Sequence, residues 1–478
     1  MNKIFLIVFF LPFYAQSQII NVSNNASKSI NPCIVTKGNI SYFLWVDDGN
    51  TNYGIRYKIN SGNNWSTIKV IDTPENSYIS SFSAEDSAII HFLWIEGSGM
   101  NNRLMYGRIV DSTLVDSIEI FRNDSSNIVF SSCLFDQPTE TLQISWDIFS
   151  GDSVYTYYSS RANNGTWSGR QIIISNNILD GNPGAQLVQD RNHNVLCLWF
   201  SEDSLSINMI RKNFNNWTEG TSLKSAVDGI GRGFVARNDD SLNVHIVSLP
   251  GRQLTCPCNF LYYSKWDGSI WSTPETVPSN DNYAYYTEHV SPEICFSKDG
   301  YPVISWEQHS WNIYLNLYAK FIGTAVKTDT GWHVNTEITI HPNIENPRIA
   351  VDNQDIINYV WQDSSDGDYD IYLYRTSLLT TVESDRNPVV PDKVSLYQNY
   401  PNPFNPSTHI SFTLPSKGFV SLKVYNLLGI EVTTLFTGVV PAGNHSVSWN
   451  ASSFTSGVYF YRLQTEQYIE TKKLILLR

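Results

Sequence analysis

The chain has 478 residues, of which 42% are hydrophobic, 13% aromatic and 16% charged, with a formal net charge of −13. Low charge with many aromatics excludes a disordered chain, and the length exceeds one ordinary domain. From Val394 onward there are six Lys/Arg and three Asp/Glu, so that segment carries +3 and the rest −16. An acidic body of this size repels nucleic acid and anionic membrane. Tyr, Trp, Ile, Val, Ser, Thr and Asn crowd the sequence and predict an all-β protein.

The N-terminus reads as an export signal. Lys3 is followed by an apolar run from Ile4 to Tyr14, and Ala15-Gln16-Ser17 places small residues as a signal peptidase requires. Cleavage is expected after Ser17. The run is too short for a stable membrane span, and no later stretch would span a bilayer.

A repeat then fills most of the chain. An apolar run ending in Trp recurs at Trp45, Trp94, Trp146, Trp199, Trp306 and Trp361, with a degenerate copy at Asn243 to Val247. The spacing of about 50 residues is that of a four-stranded propeller blade. A shorter apolar strand precedes each run, as at Pro292 to Phe296 and Pro347 to Val351. An aromatic strand follows, as at Ile55 to Tyr57 and Ile371 to Tyr374. A second Trp comes next at Trp65, Trp167, Trp217, Trp271 and Trp332, then an Ile- and Val-rich outer strand. The last repeat lacks that outer strand, and Gln18 to Val22 is expected to supply it and close the ring. The alternative is a disordered mature N-terminus.

These signals predict a seven-bladed β-propeller over 18–375, a Pro-bearing linker over 376–393 and a further domain over 394–478. The tail shows six strand patterns from His409 to Leu477, enough for a small immunoglobulin-like β-sandwich.

An acidic residue recurs close after the Trp run: Asp47, Glu96, Asp147, Glu202, Glu307 and Asp363. If these sit in equivalent inter-strand loops they ring one rim of the disc. There they would accept hydrogen bonds from sugar hydroxyls, with Trp311 and Tyr314 to stack on sugar faces. The competing reading is that they cap loop backbone and keep the rim soluble. Asp363, Asp366, Asp368 and Asp370 crowd one turn around Gly367, but their spacing is not that of a helix–loop–helix calcium site. A solvated turn is the expectation and calcium the alternative; no other cofactor or metal is implied. Cys33, Cys133, Cys197 and Cys295 lie in apolar strand patterns and read as small buried residues, whereas Cys256 and Cys258 share a loop.

The tail opening Tyr400-Pro401-Asn402-Pro403-Phe404-Asn405-Pro406-Ser407-Thr408 is the most specific motif. With Val424-Tyr425-Asn426, Gly429, Gly443, His445, Trp449, Gly457, Val458, Tyr459, Lys472 and Lys473, it resembles the type A C-terminal sorting domain of the type IX secretion system of Bacteroidetes-like bacteria. The resemblance implies recognition by an outer-membrane translocon, removal by a sortase-like peptidase, and a secreted or surface location reached through the periplasm. More loosely, the body resembles sialidase-like bacterial propellers in its Ser297-Lys298-Asp299-Gly300 turn and in Tyr263 to Trp271. That enzyme family implies an arginine cluster, for which Arg56, Arg103, Arg232, Arg237 and Arg348 are candidates. No catalytic set is assigned. The leading expectation is a glycan-binding or macromolecule-binding propeller, with a sialidase-type hydrolase and a non-catalytic adhesion protein as alternatives.

Overall fold

The computed structural model describes residues 19–24, 28–48, 53–62, 64–73, 76–86, 88–122, 127–177, 184–201, 206–213, 216–219, 223–224, 230–250, 261–279, 286–312, 317–335, 344–364, 368–378, 393–399, 402–440 and 443–477. The expected signal peptide, most of the linker, Glu202, Tyr314, Cys256, Cys258, Tyr400 and Pro401 lie outside them.

Each Trp run forms the second strand of an antiparallel sheet. In the first sheet Ser29–Lys37, Ile40–Asp48 and Tyr53–Ser61 pair in order, and both Asn64–Trp65 and Lys69–Asp72 pair with the third strand. The second runs Ser77–Ala84, Ile89–Glu96, Arg103–Val110, Thr113–Arg122. The third runs Asn127–Asp136, Thr141–Ser150, Ser153–Arg161, Gln171–Asn177. Further sheets carry Trp199 in Val195–Ser201, the degenerate copy in Val244–Pro250, and Trp306 in Pro302–Asn312. The last contains Ile344–Val351, Ile356–Asp363 and Asp370–Ser377, and its fourth strand is Ile20–Asn21. Ile20 stands opposite Leu373 and Asn21 opposite Tyr372.

Strand periodicity sends alternate side chains to opposite faces, and each face meets a different neighbouring sheet. Tyr42, Leu44 and Val46 pack with Ile90, Phe92 and Trp94 of the next sheet. Phe43 and Trp45 pack on the other face with Ala350, Val360, Ile371 and Leu373 of the last sheet. The same two-sided packing links the remaining neighbours in chain order, for example Leu93 with Trp146 and Val247 with Trp306. The innermost strands therefore neighbour one another around a closed ring. Repeated four-stranded sheets arranged in this way are a β-propeller. Trp45, Trp94, Trp146, Trp306 and Trp361 are almost wholly buried between sheets. Trp199 is only partly covered, and Trp266, on the third strand of the degenerate repeat, is buried at 2% exposure.

Two glycines show how close the rings pack. A Cβ at Gly107 would run into the Phe92 ring, and one at Gly323 into the Trp306 indole.

The tail forms two sheets around one core. Ser395–Leu396, Ser407–Leu414 and Gly443–Asn450 make one; Glu431–Val440, Gly418–Tyr425, Gly457–Gln464 and Ile469–Leu476 make the other. Phe404, Phe412 and Trp449 pack there with Leu422, Tyr461 and Leu474. Among the described residues, no helix is long and apolar enough to cross a membrane, which says nothing of β-barrel spans.

Candidate functional site

The carboxylates that follow the Trp runs are not equivalent, and the strand pleat is the reason. Asp47, Glu96 and Asp363 stand two residues after their Trp, so they share its face; Asp147 and Glu307 stand one after and point the other way. All five are in strands rather than loops, and none is more than 5% exposed. Asp47 pairs with Arg56 Nε at 2.8 Å and accepts from Ser29 Oγ at 2.9 Å and Trp45 Nε1 at 3.1 Å. Glu96 holds Arg103 Nε at 2.7 Å. Asp147 accepts from Thr156 Oγ1 at 2.7 Å and from the backbone of Gly184 and Ala185 at 2.7 and 3.0 Å. Burial pushes the Asp147 carboxyl above its usual range, against the pull of those three donors. Glu307 takes His309 Nε2 at 2.6 Å and Lys320 Nζ at 3.2 Å. Burial pushes Glu307 up, but the His309 hydrogen bond and the Lys320 charge outweigh it and hold the carboxyl below its usual range. Trp311 lies in the strand Pro302–Asn312, between Tyr286 and Tyr318 in register; its side chain, like Glu202, is outside the described residues.

A second group of residues gathers at the ring axis. On the innermost strands, Cys33, Ser81, Ser132, Gln186, Glu293 and Arg348 each stand opposite the residue preceding the sheet's Trp. Several stitch one sheet to the next. Ser81 Oγ accepts from Cys133 N at 2.9 Å, and Ser132 Oγ from Leu187 N at 3.0 Å. Gln186 accepts from Ala236 N at 2.9 Å and donates to Phe234 O at 2.7 Å. Where Gln186's stitching ends, charge takes over. Arg237 Nη2 lies 3.4 Å from Glu293 Oε2, and Arg348 Nη1 donates to Glu293 Oε1 at 2.7 Å. Three adjacent sheets thus contribute two guanidiniums and one carboxylate.

Bulges set Glu293 and Arg348, and Cys33 beside them. Asn31-Pro32, Ser291-Pro292 and Asn346-Pro347 precede Cys33, Glu293 and Arg348, and Asn31, Ser291 and Asn346 have φ of 52°, 51° and 51°. The proline has no N–H for the ladder and sits at a bulge, as strand prolines must; register shifts mark all three places. The Arg237 and Arg348 side chains are 41% and 36% exposed, but Glu293 only 14%. The cluster carries a net single positive charge with both guanidiniums open to solvent. The Cys33 thiol beside it is pushed well up by burial, against the lowering field of Arg348.

Of the arginines singled out in the sequence, Arg237 and Arg348 come together. Arg56 and Arg103 are committed to Asp47 and Glu96, and the side chain of Arg232 lies outside the described residues. Glu293, which joins the pair, is not apparent in the sequence. The recurring residue–proline step within the inner strand is the signal that leads to it.

In the tail, the proline-rich opening is clasped to the C-terminal strand. Asn402 Oδ1 accepts from Ile475 N at 2.9 Å, and Asn402 Nδ2 donates to Lys473 O at 3.3 Å. Phe404 N donates to Ile475 O at 3.0 Å, and Leu477 N to Phe404 O at 2.9 Å. Phe404 is buried against Trp449, with ring centroids 5.5 Å apart. Pro403 and Pro406 follow cis peptide bonds, and Pro406 O accepts from Ala451 N at 3.0 Å, four residues short of the Thr455 carbonyl that caps Tyr459 at 2.7 Å. Asn405 lies between them; Gly429 sits in the turn before Glu431–Val440, Gly457 opens the strand Gly457–Gln464, and Lys472 pairs with Glu470 at 3.1 Å.

This tail decides the export question. Residues 398–477 match the family model of the secretion system C-terminal sorting domain. They are a type IX secretion sorting domain. The chain is therefore one for export, to the outer surface or beyond, and the domain implies engagement by the type IX machinery. No curated protein matches the chain. Among solved structures, a triple-arginine mutant of AofleA from Arthrobotrys oligospora is 12% identical over 67% of this chain and 89% of that one, with a TM-score of 0.40. The β-propeller domain of the Trilobed protease from Pyrococcus furiosus is 12% identical over 75% and 96%, at 0.43. A PL25 ulvan lyase, bound to -[GlcA(1-4)Rha3S]-, is 10% identical over 76% and 99%, at 0.47. At these scores the likenesses say nothing about what this chain binds.

Proposed function

We propose that this protein is an exported binding module whose propeller, counted as seven blades over 18–375, receives an acidic glycan at the ring axis. The single observation behind this is the Arg237–Glu293–Arg348 cluster. Two half-exposed guanidiniums share one mostly covered carboxylate, leaving a positive site in a chain of net charge −13. Guanidinium forks suit carboxylate and sulfate geometry. The buried carboxylates Asp47, Glu96, Asp147, Glu307 and Asp363 organise strand ends in this reading. Any of their oxygens that reach a ligand would contribute hydrogen-bond acceptors at a rim, together with Glu202, while Trp311 would stack on a sugar face. No metal or cofactor is part of the proposal.

The remaining boundaries follow the same reading: a signal peptide over 1–17 leading through the periplasm, a linker over 376–393, and an immunoglobulin-like address over 394–478. A sortase-like peptidase would remove that address. The test is a glycan array with the mature protein. Acidic glycans should be retained in preference to neutral ones, and the preference should fall with added salt. Equal retention of neutral glycans, or none of any class, would count against the proposal.

A further inference from the structure

The most exposed large apolar side chain among the described residues is in the sorting domain. Leu428 is 82% exposed, and Leu427 and Ile430 in the same turn are 69% and 58% exposed. The turn joins Gly418–Tyr425 to Glu431–Val440. Polar groups build it completely. Asn426 Oδ1 accepts from Leu428 N and Ile430 N, each at 3.0 Å. Asn426 N donates to Ile430 O, and Gly429 N to Asn426 O, both at 3.0 Å. Gly429 has φ of 75°, a conformation that favours glycine. An asparagine turn of this kind needs no apolar side chain at its tip. The two leucines therefore add nothing to the fold, while their exposure is a liability in water. Below the tip, Val420, Leu422 and Val424 anchor the strand in the core, and Lys423 pairs with Glu431 at 2.9 Å. The tip is thus held rigidly and presented outward.

We infer that Leu427, Leu428 and Ile430 are the docking tip by which this domain enters an apolar pocket on the type IX machinery. The inference rests on reading the tail as an export address. A second copy of the chain fits the tip less well. The exposed area of the three side chains is on the order of 400 Å², about half the roughly 800 Å² per partner of a stable interface. That area suits a short-lived contact in which a protruding tip is enclosed by a pocket, and cargo must also let go.

The test expresses the full chain in a bacterium with a type IX system and measures the fraction outside the cell. Leu427→Ser with Leu428→Ser should cut that fraction at least ten-fold, with the retained protein still resistant to protease. Ile469→Ser, which removes another exposed aliphatic (62% exposed) on the last strand, should leave export at the parent level. Leu428→Lys alone, at a side chain with almost no packing to lose, should also reduce export, and serves if the double variant fails to fold. Deletion of 394–478 separates the two readings. If the deletion blocks export but the folded leucine variants leave at the parent level, the docking tip is overturned and the address stands. If the deletion itself leaves at the parent level, both fall.

Discussion

Glu293 and Arg348 meet at 2.7 Å across two neighbouring sheets, and each side chain follows directly on a proline at a strand bulge. The pairing is half-exposed on the arginine side, so it contributes only about 0–1 kcal/mol to stability. Its larger consequence is to hold a guanidinium in place at the axis. Glu293→Gln keeps the shape and removes the charge that occupies both arginines. Titration calorimetry should then show acidic glycans binding about three- to ten-fold tighter, with a steeper salt dependence. Arg348→Ala should weaken binding by about ten-fold or more. An unchanged affinity in Arg348→Ala would place the ligand elsewhere.

His91 makes the fold acid-sensitive. Its Nδ1 faces the Tyr106 hydroxyl at 2.8 Å and its Nε2 faces Glu85 at 3.0 Å. Burial, with the charges of Arg108 and Arg161, lowers the imidazole from its usual 6.5 to about 3. Below the usual value the unfolded chain takes up a proton that the folded chain refuses. The stabilising contribution is therefore complete above pH 6.5 and drains away as pH falls toward 3, at up to about 1.4 kcal/mol per pH unit. His91→Gln should flatten this limb, read as the urea midpoint between pH 7 and pH 4. An unchanged slope would mean that His91 does not set it.

Gly323 faces the Trp306 indole so closely that a methyl group has no room. Gly323→Ala should destabilise the protein by roughly 1–3 kcal/mol through forced repacking, with no change in the denaturant slope. Gly107→Ala should do the same against Phe92. Parent-level unfolding midpoints in both would show that the rings yield freely.

Asp370 ties the N-terminal strand into the last sheet. It accepts from Ser23 Oγ at 2.6 Å and from Asn21 Nδ2 at 2.9 Å, beside the Val22 N to Ile371 O bond at 2.7 Å. Asp370→Ala should cost about 1–2 kcal/mol and speed amide exchange at Ile20 to Val22 before that of Leu373. Exchange at Ile20 to Val22 as slow as in the parent would show that the strand holds without Asp370.

Some of this was legible in the chain. Trp45, Trp94, Trp146, Trp306 and Trp361 recur because each sheet must fill the same gap between twisted neighbours, so a packing need repeats at blade length. The clasp between Asn402, Phe404 and the last strand accounts for the specificity of the tail motif, since both of its ends must be kept together. The acids after the Trp runs were legible only as a pattern. Asp47 and Asp147 look alike in sequence, yet one residue of offset sends them to opposite faces of their sheets.

The chain alone determined that the protein is all-β, that its body is built from repeated sheets with Trp at their contacts, and that its tail is a sorting domain. These follow from local periodicity and from a contiguous motif, both of which survive in one dimension. Only the tertiary structure decided which charges meet. Arg237, Glu293 and Arg348 are more than fifty residues apart in sequence and share no local pattern beyond the prolines that precede two of them. Their encounter depends on ring closure and on bulges that re-aim side chains, and the partners that an ion pair finds are set by distance in space.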